Sequence, residues 1–153
     1  MFHVILYQPE IPPNTGNIIR LCANTGSKLH LIHPLGFAWD DKRVKRAGLD
    51  YHDLTHVVHH DNWESFLSNF EEGSLYAMTS KGTTSYHSPK YKSGDGFLFG
   101  PETRGLPQTL LSTFSDEKKI YIPQLTTARS LNLSNAVSVM IYEAWRQCAF
   151  LST

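Results

Sequence analysis

The residues of this chain whose types and spacing could do chemistry fall in three stretches. The first, 97–107, reads FLFGPETRGLP. Its apolar start, Gly96-Phe97-Leu98-Phe99, has the length and bounding of a buried strand. The residue before a proline is driven toward extended geometry, so at Gly100-Pro101 the chain must leave the strand as a loop. That loop carries Glu102, Thr103 and Arg104 and closes at Gly105. A carboxylate and a guanidinium there form either a charged turn with an internal ion pair or part of a ligand site. Open α/β sheets place ligands outside the carboxyl ends of their strands. In the second stretch Asn14, Asn17, Arg20 and Asn24 recur at helical spacing, an amide-and-arginine face suited to hydrogen-bonding a partner. The third, RSLNLSNAV from residue 129, holds Ser130 and Asn132 just after a strand-like KKIYIP.

Two further groups invite chemistry and have ordinary explanations beside it. Lys42, Arg43, Lys45 and Arg46 are the densest basic cluster, either a solvated helix face or a set of phosphate contacts. His56, His59 and His60 lie close together but lack the spacing of a zinc motif and a completing set of cysteines or carboxylates, so no metal is expected.

The elements that must position these residues alternate. Residues 2–7 read as a buried first strand. Gln8 to Pro13, with three prolines, must be a loop. Asn14 is read as the N-cap of a helix to Thr25, stopped by Gly26. Strands follow at 28–33, 56–60, 74–79, 96–99 and 118–123. A short basic helix spans 40–47. Another, capped by Asp61, spans 63–70 with Trp63, Phe66, Leu67 and Phe70 inward. Residues 83–95 form a polar loop, 108–114 a short helix, and 132–150 a long one. In that last helix Leu133, Ala136, Val137, Met140, Ala144 and Cys148 make one apolar stripe, leaving Ile141, Trp145 and Phe150 beyond it. The order implies a single α/β domain over residues 1–153, with a mostly parallel sheet of about six strands and helices on both faces.

Composition sets limits on the whole. The 153 residues are 41% hydrophobic and 18% charged, which fits one globular domain with a real core. No apolar run could span a bilayer, and Met1-Phe2-His3 does not begin a signal peptide, so a cytoplasmic location is expected. Cys22 and Cys148 sit in apolar helical patterns and are expected as two reduced thiols. Lys plus Arg and Asp plus Glu are both 14, so any nucleic acid must be held by a local patch or by a second subunit. The chain has no G-x-G-x-x-G after a strand, no P-loop and no G-x-S-x-G elbow.

Taken together, NTGNIIR at 14–20, FGPETRGLP at 99–107, and IYIPQ followed by RSLNLSNAV resemble the three motifs of the SpoU branch of the SPOUT RNA methyltransferases. The resemblance covers essentially the whole chain. The short length and the start L-Y-x-P-E-I-P-x-N-T-G-N are similar to the minimal bacterial members that methylate the ribose of the tRNA wobble nucleotide. The resemblance implies a C-terminal trefoil knot, S-adenosylmethionine as methyl donor and a homodimer acting on the anticodon stem-loop, with cytidine or modified uridine at position 34, in leucine tRNAs. Knotting runs against the general rule that chains do not thread loops.

Residue by residue, Asn14 and Arg20 match the catalytic pair of the first motif, Glu102 the carboxylate of the second, and Ser130 and Asn132 the polar residues of the third. The donor would lie against Met78, Thr79, Gly100, Glu102, Ile122, Ser130 and Leu131. Met78 stands where relatives often carry Leu, and Leu106 where Ile is common. Other readings are a methyltransferase for a different RNA and a non-catalytic RNA- or nucleotide-binding module on the same fold.

Overall fold

The computed structural model describes residues 1–152, with nothing described of the residue 51 side chain. Seven strands, β1 (His3–Tyr7), β2 (Lys28–Ile32), β3 (Val57–His60), β4 (Leu75–Met78), β5 (Thr84–Ser85), β6 (Gly96–Phe99) and β7 (Lys119–Tyr121), form one sheet in the order β3-β2-β1-β6-β4-β7-β5. Every pairing is parallel. The seventh strand is β5, two residues inside the polar 83–95 loop and too short to leave a periodic signal.

Six α-helices cover the sheet: α1 (Pro12–Thr25), α2 (Asp41–Arg46), α3 (Tyr51–Leu54), α4 (Trp63–Asn69), α5 (Gln108–Leu111) and α6 (Leu133–Gln147). Strand alternation divides the interior into two cores. Val4, Leu6, Phe97 and Phe99 point to the side of α1 and α6, meeting Ile18, Ile19, Val137, Met140 and Ala144. Ile5, Leu98 and Ala77 point the other way, to Phe66, Leu110 and Leu111 of α4 and α5.

Several local expectations are corrected. Helix α1 begins at Pro12, two residues before Asn14, because proline is pre-set for a first turn where its missing N–H is not needed. Asn14 is therefore an interior residue, and it is buried. The cap of α4 is Asn62, whose side chain accepts from Ser65 N, and not Asp61; Leu67 on that helix is exposed. Helix α3 was not expected; a reciprocal Asp50–Asp53 capping box starts it. On α6, Ile141 is fully buried, so the uncovered apolar groups are instead Val139 and Tyr142, with Phe150 and Leu151 just beyond the helix.

The topology fixes where a site can form. From β1 the chain steps outward to β2 and β3, crosses to β4 on the other side of β1, passes through edge strand β5, and then inserts β6 between β1 and β4. The crevice between the ends of β1 and β6 is thus a switch point. Register pairs Leu6 with Phe99, so the loops after both strands leave the sheet side by side.

Candidate active site

At that switch point three distant segments join through side chains. Gln8 adopts a left-handed φ of 48° and turns the chain out of β1. The loop that follows is tied to the loop after β6. Glu102 accepts from the backbone N–H of Glu10 at 2.9 Å and of Ile11 at 2.5 Å, and from Asn14 Nδ2 at 3.4 Å. Asn14 Oδ1 in turn accepts from Asn132 Nδ2 at 3.1 Å. Asn132 Oδ1 caps α6, taking the N–H of Ser134 at 3.0 Å and its hydroxyl at 2.6 Å. One polar chain, Glu102–Asn14–Asn132, therefore links residues 88 and 118 positions apart in sequence.

The geometry restricts what Glu102 can do. With three donors on its carboxylate it holds the loop after β1 and the start of α1. The sequence pattern marks no role for Glu10, yet its carboxylate accepts from the Thr103 N–H at 3.0 Å and the Thr103 hydroxyl at 2.7 Å. Those hydrogen bonds hold the Glu10 carboxyl below the usual carboxylate range. Arg104 lies 3.9 Å from the same group. The available signal was a carboxylate between prolines, in a loop that no regular element could claim. Gly100 completes the turn: a Cβ there would lie 2.4 Å from Leu106 N, so only glycine lets the loop fold back.

The other expected site residues occupy different places. Arg20 shares an exposed face of α1 with Asn17 and Asn24, and its Nη2 donates to Gly48 O at 2.8 Å. It makes no hydrogen bond to the Glu102–Asn14–Asn132 chain, and buried Asn14 lies off the Arg20 face. Ser130 and Leu131 are exposed on the segment entering α6. Met78, Thr79, Gly100 and Ile122 stand at or just past the ends of β4, β6 and β7, which are neighbours in the sheet. Thr79 N is spent on Ile120 O at 2.9 Å. Leu125 and Leu131, on the segment between β7 and α6, leave large apolar side chains uncovered, at 81% and 38% exposure. Exposed Leu125 and Leu131 on the same segment as exposed Ser130 suit an adenosine-bearing group with a polar tail.

Among the described residues no group of three His, Cys, Asp or Glu side chains is placed to hold a metal ion, and no helix is long and apolar enough to cross a membrane. Both cysteines are free, and burial pushes the Cys22 thiol up to about 12.

Residues 1–142 match the SpoU rRNA methylase family. This chain belongs to the SpoU family. It is 57% identical over 150 residues to the tRNA (cytidine(34)-2'-O)-methyltransferase of Escherichia coli K12, covering 98% of this chain and 96% of that one. A solved structure described as giving insight into 2-OH methylation of C/U34 on tRNA superposes with TM-score 0.89 at 43% identity, covering 99% of this chain and 98% of that one. The AdoMet-bound rRNA methyltransferase of Sinorhizobium meliloti superposes at 0.82 with 28% identity, covering 99% of this chain and 57% of that longer one. The all-parallel α/β sheet seen here is thus the sheet of a SpoU methyltransferase.

Proposed function

We propose that this chain methylates the ribose 2′-hydroxyl of the tRNA wobble nucleotide, cytidine or modified uridine at position 34 of leucine isoacceptors. It uses S-adenosylmethionine and works as a homodimer that grips the anticodon stem-loop in the cytoplasm. The observation that carries the reading is the Glu102–Asn14–Asn132 chain, which joins all three family motifs at the sheet's switch point. The 57% identity to a tRNA wobble methyltransferase supports the substrate. Membership of the family implies the trefoil knot.

The donor supplies an electrophilic methyl group on a sulfonium. This chain's residues must do the rest. Met78, Thr79, Gly100, Ile122, Ser130 and Leu131 would hold the donor at the strand ends. Asn14 and Asn132 orient one another and the start of α6. Positioning of oxygen, methyl carbon and sulfur in line can supply on the order of 7–11 kcal/mol. Arg20 faces the acceptor. A guanidinium stays protonated in proteins, so its role is to stabilise the developing alkoxide or fix the adjacent phosphate, and the hydroxyl's proton passes to solvent water and not to the arginine. Glu102 is a positioning residue. Its hydrogen bonds to Glu10, Ile11 and Asn14 set the loop on which the others depend.

The test is incubation of the protein with labelled S-adenosylmethionine and unmodified tRNA, followed by nucleoside analysis. The expected product is 2′-O-methylated nucleotide 34. Label on a base, or in ribosomal RNA alone, overturns the reading. No transfer despite calorimetric binding of S-adenosylmethionine would instead indicate a non-catalytic module.

A further inference from the structure

A cleft of about 360 Å³ opens between α1 and the segment that leads into and carries α2. One wall is Gly16, Asn17 and Arg20; the facing wall is Phe37, Trp39 and Val44. Its volume lies in the range of small-ligand pockets. We infer that this cleft receives the base of the nucleotide whose ribose is methylated. The inference rests on the functional reading above and adds the subsite that reads the acceptor.

Four observations carry it. The aromatic wall is pre-set: Trp39 Nε1 donates to Asp41 Oδ1 at 2.8 Å, and its ring sits edge-on to His59 at 4.6 Å. Phe37, half-buried, belongs to neither hydrophobic core. Unstacked RNA bases are held by stacking on such rings, which accept any π face. Second, Thr15 lines the cleft at 2% exposure, and its hydroxyl is, among the described residues, a buried polar atom without a partner. A rotation of the Thr15 side chain toward the cleft would offer this unpaired hydroxyl to a base edge, which carries both donors and acceptors.

Third, the charges suit a nucleotide. Arg20 spends one donor on Gly48 O and has four more. Arg43 lines the cleft with its Nε 3.9 Å from Asp40, which lines it too, and Lys42, Lys45 and Arg46 stand exposed on the same short helix α2, leaving the cations in excess. Fourth, Arg20 is at once a cleft wall and the residue assigned to the acceptor hydroxyl. A base in the cleft would keep its own ribose within one sugar's reach of that guanidinium.

Gly16 gives a clean test. A Cβ there meets nothing within 4 Å outside its own helix turn, and Gly16 lines the cleft, so Gly16→Leu should place its side chain in cleft space. Loss of glycine from a helix interior also favours folding. Methylation is measured for wild type and Gly16→Leu, on tRNA with and without a base at the wobble position. Wild type should lose about ten- to a hundredfold in kcat/KM on the abasic substrate, as expected for one stacked base. Gly16→Leu should lose a similar factor on normal tRNA and little more on the abasic one, with S-adenosylmethionine binding unchanged. Pyrrolocytosine at the wobble position should be quenched on binding to wild type. Losses that multiply, a wild type indifferent to the missing base, or pyrrolocytosine that stays bright each overturn the cleft assignment while leaving the functional reading standing. Failure of wild type to methylate any tRNA overturns both.

Discussion

Glu10 and Glu102 clasp each other's loops: the Glu10 N–H donates to Glu102 Oε1 at 2.9 Å, and the Glu10 carboxylate takes the Thr103 N–H and hydroxyl at 3.0 and 2.7 Å. Glu10→Ala removes one half of the clasp and leaves every residue proposed to touch donor or acceptor in place. Turnover should fall about tenfold or more, toward the hundredfold typical of a displacement on the order of 1 Å. Glu10→Gln, which can still accept from Thr103, should recover most of it. Steady-state kinetics of the two variants decide, and equal losses would mean that the negative charge matters rather than the loop geometry.

Arg20→Ala should abolish turnover and leave S-adenosylmethionine binding nearly unchanged by calorimetry, because Arg20 lies on the exposed face of α1 and bonds Gly48, not the Glu102 chain. A parallel loss of donor affinity would move Arg20 into the donor pocket.

The basic cluster on α2 has no buried residue beneath it, and all four cations are exposed. Charge reversal at Lys42, Arg43, Lys45 and Arg46 should weaken tRNA binding and flatten its dependence on salt, by about one unit of logarithmic slope per lost phosphate contact. A slope equal to that of wild type would return the cluster to a solvated face.

How much of this was legible in the sequence follows from the range of each signal. The strands β1, β2, β4 and β6 are apolar runs long enough to identify, and their alternation with helices implies a parallel sheet. Two-residue β5 and four-residue α3 are too short to show a period. The local rule for Asn14, a strong N-cap residue after prolines, pointed to the wrong end of its own side chain's task. Its amide is committed to Glu102 and Asn132, partners 88 and 118 residues away that no local pattern contains. Glu10 was missed for the same reason. The single-face pattern leaves Ile141 outside the α6 stripe, because it takes no account of α1 packing alongside α6.

Three histidines on adjacent strands predict acid sensitivity. His3 Nδ1 lies 2.9 Å from His30 Nε2, and His30 Nδ1 lies 2.9 Å from His60 Nε2, with Glu72 3.3 Å from His3 Nε2. A run of neutral rings, each donating once toward Glu72, satisfies every contact. Burial, aided by the neighbouring His3 and His60, pushes the His30 pKa down to about 3, while burial also lowers His3 and His60. The unfolded chain therefore binds more protons than the native one between the ordinary histidine value and that depressed value. Stability is fully present above about pH 6.5 and should decline as pH falls toward 3, by at most about 1.4 kcal/mol per pH unit for His30. Urea melts of wild type and His30→Gln across that window check this, and equal slopes would exclude His30 as the cause.

The C-terminal helix carries the last prediction. Its buried residues, Val137, Met140, Ile141 and Ala144, face the core, yet Tyr142 is 46% exposed, Phe150 51% and Leu151 68%. Trp145 binds this outer group together: its ring meets Tyr142 at 5.8 Å and Phe150 at 5.4 Å, and its Nε1 donates to Leu151 O at 3.1 Å. Large apolar side chains ordered against one another in solvent mark an interface, and two-fold pairing would set the same patch on both subunits. Because half-buried Trp145 also supports its neighbours, Tyr142→Glu is the cleaner variant: it places a charge in the patch and disturbs no core contact. Sedimentation should give a dimer for wild type at micromolar concentration and a monomer for Tyr142→Glu. The monomer should retain the wild-type circular dichroism spectrum and lose tRNA methylation, since the homodimer proposed above grips the anticodon stem-loop with both subunits. A wild type that sediments as a monomer and still methylates tRNA would refute the dimer outright.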